Sequence, residues 1–409
     1  MNTINQSRLF TASCFALITT AFAFAIRAGI LTELSQKFNL SDTQLGYINQ
    51  MAFLGFPIAT MLGGYLYNEF GPKRMMYLAL ISHLVGIIMT IFAGDFWTLL
   101  LSSFFIGFAN GTVEAACNPM ISNMFRNNLT TMLNRFHVWF PGGIFIGSLT
   151  SQLMTGLHLG WQWQIAVMLI PTAVYAYLFW GQRFPERAEA GQASVGENMQ
   201  GILSPLYLFM IFCMILTANT ELSTQQWIER LLSNAGGAQP MLVLALVTGL
   251  MAVGRFFAGP VIHRLNPVGV LWGGAIIATF GIYLMSIATG GMTYVAAILF
   301  AIGVCYFWPT MLGFTGEYIP KSGALGMSLM GGAGMFAVSI AQPVVGGWLD
   351  SARETAQKTA ASPQAADLAA GQATLQHLLT FPIILIVAFG LLWFYMRGRY
   401  RKQAPLASS

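Results

Sequence analysis

The chain has 409 residues, of which 56% are hydrophobic, 13% aromatic and only 8% charged. Soluble domains carry about a quarter of their residues as Asp, Glu, Lys or Arg, so this composition excludes a soluble enzyme and predicts a polytopic membrane protein. The net charge of +5 is then a matter of topology and anionic lipid, not of nucleic-acid binding.

Only Arg8 precedes the first apolar run, Leu9 to about Leu34. That run is too long for the core of a cleaved signal peptide and lacks a small-residue cleavage site, so it is expected to be a retained span. Apolar runs of about 20 residues then predict spans near 9–33, 43–67, 74–93, 97–124, 131–156 and 162–182. A second set follows near 204–231, 239–262, 267–289, 291–315, 322–349 and 374–396. The expected fold class is an all-α membrane protein with twelve transmembrane helices in two six-helix bundles. These are residues 1–182 and 204–409, joined by the polar cytoplasmic linker 183–203, which lies within the stretch "QRFPERAEAGQASVGENMQGILS". A second polar segment, 351–373, is rich in alanine and is expected to be a partly helical loop between the last two spans.

Basic residues set the orientation. With the N-terminus in the cytoplasm, Arg8, Lys73, Arg74, Arg126, Arg135, Arg183, Arg187, Arg264, Lys321, Arg397, Arg399, Arg401 and Lys402 lie inside. Lys37, Arg230, Arg353 and Lys358 lie outside. Both termini are therefore expected in the cytoplasm, and the compact loops fit a bacterial inner membrane. Cys14, Cys117, Cys213 and Cys305 fall in four different apolar runs without paired spacing, which predicts packing residues and no metal site.

The halves look related. "GGYLYNEFGPKRM" closes the second span and "FAGPVIHRLNPVG" the eighth, so that Gly64 and Gly259 correspond at an offset near 195. A six-span unit used twice is the plan of many transporters, with the solute held near the midplane between the halves.

At "GGYLYNEFGPKR" the chain resembles the major facilitator superfamily: Gly64, Gly71, Lys73 and Arg74 match its cytoplasmic loop signature, with Asn68 where the family usually has aspartate. Within it the chain is similar to the fucose-type sugar and proton symporter branch. The likeness rests on "EAACNPM", "LNRFHVWFPGGIFIG", "ELSTQQW", "GRFFAG" and "AQPVVGGWLD". The resemblance implies that Glu114 is the proton-responsive residue of the fourth span. Where the branch commonly has an aspartate in the first span, this sequence reads "AIRAGIL".

The charged residues inside spans carry the chemistry, because each must face a polar cavity or a partner. Asn110, Glu114, Cys117 and Asn118 recur at helical spacing and are expected on one face of the fourth span. Glu114 is either the proton-coupling acid or a structural acid bonded between helices. Arg27 lies about 28 Å of helix rise beyond Arg8 and reads as an anchor for a carboxylate-bearing solute. Its alternatives are a permanent partner, with Glu221 across the cavity as the leading one, or a reach to the outer headgroups. Gln50, Asn110, Asn118, His137, Glu221, Gln225, Trp227 and Trp308 complete the expected substrate set, with packing as the bland alternative for each tryptophan and histidine. Asn68, Lys73, Arg74, Arg255 and Glu317 are expected at the cytoplasmic ends, as gate charges or as solvated loop charge.

No G-x-x-x-x-G-K-[ST] loop is present, so the driving energy is expected from an ion gradient and no cofactor is implied. The reading is a proton-coupled symporter, working as a monomer by alternating access. Its solute is a small polar one: a sugar, a sugar acid or another small organic anion. The rivals are a proton-driven exporter of amphiphilic compounds and a ligand sensor on the same fold.

Overall fold

A computed structural model describes residues 4–125, 129–185 and 195–403. Arg126, Arg187 and the side chains of Asn68, Arg399, Arg401 and Lys402 lie outside the described residues.

The chain is a multi-pass helical membrane protein. Among the described residues, ten helices are long and apolar enough to cross a bilayer by length and composition: Gln6–Gly29, Asp42–Gly63, Glu69–Ile91, Phe96–Met124, Trp161–Phe179, Pro205–Gln226, Arg264–Met285, Gly291–Tyr318, Leu325–Gln357 and Pro363–Arg397. Trp139–Gly156, diluted by four glycines, fills the fifth place in the alternation, and the shorter Pro240–Phe256 fills the eighth. The polar 351–373 stretch is not a separate loop. It lengthens the eleventh span to Gln357 and opens the helix that becomes the twelfth, with Ser362 capping Pro363–Leu378.

Capping residues fix where helices begin. Ser41 and Gln44 close a reciprocal capping box at the second span. Asp95 opens the fourth by accepting from the Thr98 amide at 2.8 Å and its hydroxyl at 2.7 Å. The internal repeat is visible in the backbone. Gly71 (φ 73°) and Asn266 (φ 55°) each hold a left-handed conformation just before a proline, where the second span turns into the third and the eighth into the ninth. They are 195 positions apart, the offset read from Gly64 and Gly259.

Helix alternation gives the molecule two ends. The basic end holds Arg8, Lys73, Arg74, Arg183, Arg264 and Lys321, and the far end holds the short helix Leu31–Phe38 and the start of the second span. Within the membrane the second span packs along the fourth and the eleventh, the first along the fifth, and the fifth along the eighth. Gly46 and Gly346 let the second and eleventh spans touch near the far end. A Cβ at either would overlap backbone of Pro343 or Asp42.

Candidate functional site

Three spans are interrupted where the polar residues gather. The seventh is α-helical to Ala218, widens to a π-turn over Asn219–Ser223 and breaks again at Trp227. The cause is in its side chains: Asn219 Nδ2 donates to the Ile215 carbonyl (2.8 Å) and Thr220 Oγ1 to the Leu216 carbonyl (2.8 Å). Such bonds compete with the regular helical ladder and loosen it. The tenth span breaks at Cys305 and Tyr306, and the Cys305 carbonyl takes the Arg255 Nε proton at 2.9 Å. The fifth breaks between His137 and Trp139.

Two carboxylates stand in the two halves, with a run of polar groups between them. Glu114 is partly exposed, and Asn118, one turn on, is the polar neighbour of its carboxylate. His137 Nε2 bonds Asn118 Oδ1 at 3.1 Å, and Arg255 is its charged neighbour across the divide. Arg255 Nη2 in turn pairs with Glu221 Oε1 at 3.2 Å, while Glu221 Oε2 is buried without a partner among the described residues. The groups Glu114, Asn118, His137, Arg255 and Glu221 thus run from the fourth span to the seventh.

The remaining expected residues divide. Arg27 is 6% exposed and makes no side-chain hydrogen bond or ion pair among the described residues; the expected alternative, a pair with Glu221, is not formed, because Arg255 holds that carboxylate. Asn110 does not share the Glu114 face. It is buried inside the first half, its Oδ1 on His83 Nε2 (2.9 Å), while His83 Nδ1 meets the Tyr175 hydroxyl (2.9 Å). Cys117, seven residues on, is buried with it against Met76. Trp227 is fully buried and its indole N–H donates to Gln342 Oε1 at 2.9 Å, so its ring offers no stacking face. Gln225 reaches Met251 Sδ at 3.4 Å, Gln50 is half-buried, and Trp308 is half-buried beside Gly331 and Gly334.

Sequence reading missed Gln226 and Asn49. Both are buried, and both amide atoms of each lack a partner among the described residues. Gln226 lines a small cavity with Phe24, Ile144, Leu222, Gln225 and Leu244. A larger concavity lined by Pro205, Leu206, Phe209, Leu391, Leu392 and Tyr395 is apolar, on the flank between the seventh and twelfth spans, and has nothing to orient a polar solute.

Also unanticipated is the closure of the far end. Asp42, completely buried, receives Arg230 through Nε and Nη2 (2.7 Å each) and Arg353 through Nη1. Asp350 accepts from the Asp42 and Thr43 amides (2.9 and 2.8 Å), placing an anion on the N-terminus of the second span. Arg353 also holds Asp367 (2.7 Å), and Thr32 links Arg230 (3.2 Å) to Glu229 (2.6 Å). Thr32, Asp42 and Thr43 belong to the first half and the rest to the second. Among the described residues, the polar bonds that join the halves cluster here, with Gln152 and Gln239 (3.0 Å) beside them.

The expected basic-end set is dispersed. Lys73, Arg74 and Glu317 are exposed and form no ion pair among the described residues, and Arg255 is drawn inward to Glu221. No cluster of metal-ligating side chains occurs among the described residues.

The sequence model of the Major Facilitator Superfamily matches residues 13–343. The chain is similar to a D-xylose transporter of Levilactobacillus brevis, 24% identical over 148 residues, which are 36% of this chain and 32% of that protein. The matched stretch therefore spans about a third of the relative's length. Its fold is similar to that of a bacterial homolog of the human lysosomal transporter Spinster in an inward-facing, unoccupied conformation, with a TM-score of 0.76 at 15% identity, covering 96% and 97% of the two chains. It is also similar to that of a D-xylose-proton symporter, with a TM-score of 0.75 at 13% identity over 95% and 97%.

Proposed function

The chain belongs to the major facilitator superfamily, and on that premise we propose that it is a secondary active transporter importing a small polar solute together with protons. Units 1–182 and 204–409 rock about a central site, alternately opening the basic and the far end. The basic end is the cytoplasmic one and holds both termini, the membrane is the bacterial inner membrane, and the monomer is the working unit.

One observation carries the reading: Glu114, Asn118 and His137 of one half come near the Arg255–Glu221 pair of the other, beneath a far end held shut by ion pairs. A carboxylate in that position binds a proton at a cost that changes when the halves part, and this is what coupling requires. Glu114 is the proton acceptor. Its neighbours Asn118 and His137 relay its charge state to Arg255, and thence to Glu221 in the other half. The motif likeness to fucose-type symporters and the partial match to a D-xylose transporter are reasons to try sugars and sugar acids first.

The test is Glu114→Gln in proteoliposomes, the amide standing for the protonated acid. Counterflow of a bound solute should persist while pH-driven accumulation is lost. Full gradient-driven uptake by the variant would remove Glu114 from the coupling step, and wild-type binding without counterflow would make the protein a sensor.

A further inference from the structure

Arg27 is the one buried cation without a partner among the described residues. Arg230 and Arg353 hold Asp42, Arg255 holds Glu221, and the lysines are exposed. A lone charge in an apolar interior is strongly disfavoured unless something pairs with it. The carboxylates along the first span's neighbourhood each turn one oxygen elsewhere, Glu33 to the Trp161 amide at 2.8 Å, Glu229 to Thr32 and Glu221 to Arg255, and none pairs with Arg27. The protein supplies the cation and does not supply its anion.

A second, independent observation points to the same place. Phe24 and Phe53 pack ring to ring at 5.2 Å. Arg27 lies about one turn from Phe24 on the first span, and Asn49 one turn from Phe53 on the second. Because the two helices run in opposite directions, both steps lead toward the far end. Segment 224–226 packs against the first span, and Gln226 shares a cavity with Phe24. Asn49 and Gln226, 0% and 3% exposed, bring two donor and acceptor pairs that nothing among the described residues satisfies. Buried amides are left without partners at a cost unless a ligand completes them.

We infer that the transported solute is a small hydroxylated carboxylate, gripped by the planar fork of Arg27, with its hydroxyls read by Gln226 and Asn49. This rests on the transporter reading for the word "transported" but not for the binding. A neutral sugar would satisfy the amides and leave Arg27 as lone as before. Guanidinium matches carboxylate in bidentate geometry, a fit that an ammonium on a lysine stem lacks.

The test uses the purified protein and matched probes: gluconate against glucose, galacturonate against galactose, and lactate against propane-1,2-diol, each followed by thermal shift and calorimetry. At least one acid should bind while its neutral partner does not. Arg27→Lys should weaken that acid by about tenfold or more, and Gln226→Ala by about threefold to tenfold. Arg27→Met should abolish binding and raise the melting temperature of the ligand-free protein, since it removes an unpaired buried charge. A lowered melting temperature would instead mean that Arg27 is a structural residue. Equal affinity for acids and neutral partners, or no response to any acid at millimolar concentration, overturns the inference. If neutral sugars bind and exchange in liposomes, only the anion site falls; if an acid binds through Arg27 but does not exchange, only the transport reading falls.

Discussion

Replacing Asp42 by Asn should release the far end. The carboxylate is fully buried and takes both Arg230 and Arg353, so the substitution strips two arginines of their shared anion. Breaking a buried ion pair costs about 3–5 kcal/mol. Arg353 keeps Asp367 at 2.7 Å, Arg230 keeps Thr32 at 3.2 Å, and the two arginine side chains are 19% and 12% exposed, so the low end applies. Because these bonds join the halves only when the far end is shut, the loss falls on the conformational equilibrium. About 3 kcal/mol is then a shift of roughly a hundredfold toward the far-open state. Spin labels at Lys37 and Glu354, both exposed and on opposite halves, would report it as growth of a long-distance population in double electron–electron resonance. A double-mutant cycle with Arg353→Gln should show coupling well above the ~0.5 kcal/mol expected of independent sites. An unchanged distance distribution together with additive single mutants would refute the assignment of this network as the lock.

Two further outcomes follow from the same geometry. Gly46→Leu puts a side chain where Gln342 and Pro343 backbone now lies, so the far end should fail to shut and uptake should fall to background while the protein still folds; wild-type transport would show that the second and eleventh spans need not touch. Single cysteines at Ala361 and Leu203, both exposed, should be labelled by an impermeant reagent from outside and from inside the cell respectively, and the reverse pattern would invert the orientation.

The fold was legible because a bilayer demands apolar runs of fixed length. Even the repeat could be read, as the equal spacing of Gly71 and Asn266 bears out. The lock was not legible. Asp42 follows an ordinary capping serine and looks like any acid in a first helical turn, while its partners lie 188 and 311 positions away. Helical spacing alone also misplaced Asn110. Residues three and four apart share a broad face, but the fourth span is wedged between the first half's interior and the central divide, so Asn110 turns to His83 and Asn118 to His137. Gln226 was passed over for its neighbour Gln225 because the π-turn at Asn219–Ser223, just before them, shifts the faces that an unbroken 100° step from Glu221 would assign. Arg27 was legible for the opposite reason: a charge inside an apolar run, buried among its neighbours, has few excuses.

If Arg27 holds an anion and Glu114 a proton, the charge carried through the membrane follows. The guanidinium belongs to the protein and is present whether or not solute is bound. An inward crossing with one carboxylate and one proton moves no net charge relative to the empty return, since the anion and the proton cancel. Uptake should therefore respond to a pH gradient and be indifferent to a membrane potential set by potassium and valinomycin. A neutral solute taken with the same single proton would carry one positive charge inward, and each 100 mV, inside negative, would favour it by about 2.3 kcal/mol. Potential-driven uptake at zero pH gradient would thus contradict an anionic solute moving with one proton on Glu114, whichever acid the binding assays had picked out. Indifference to potential, joined to loss of pH drive in Glu114→Gln, would tie Arg27 and Glu114 to a single electroneutral step.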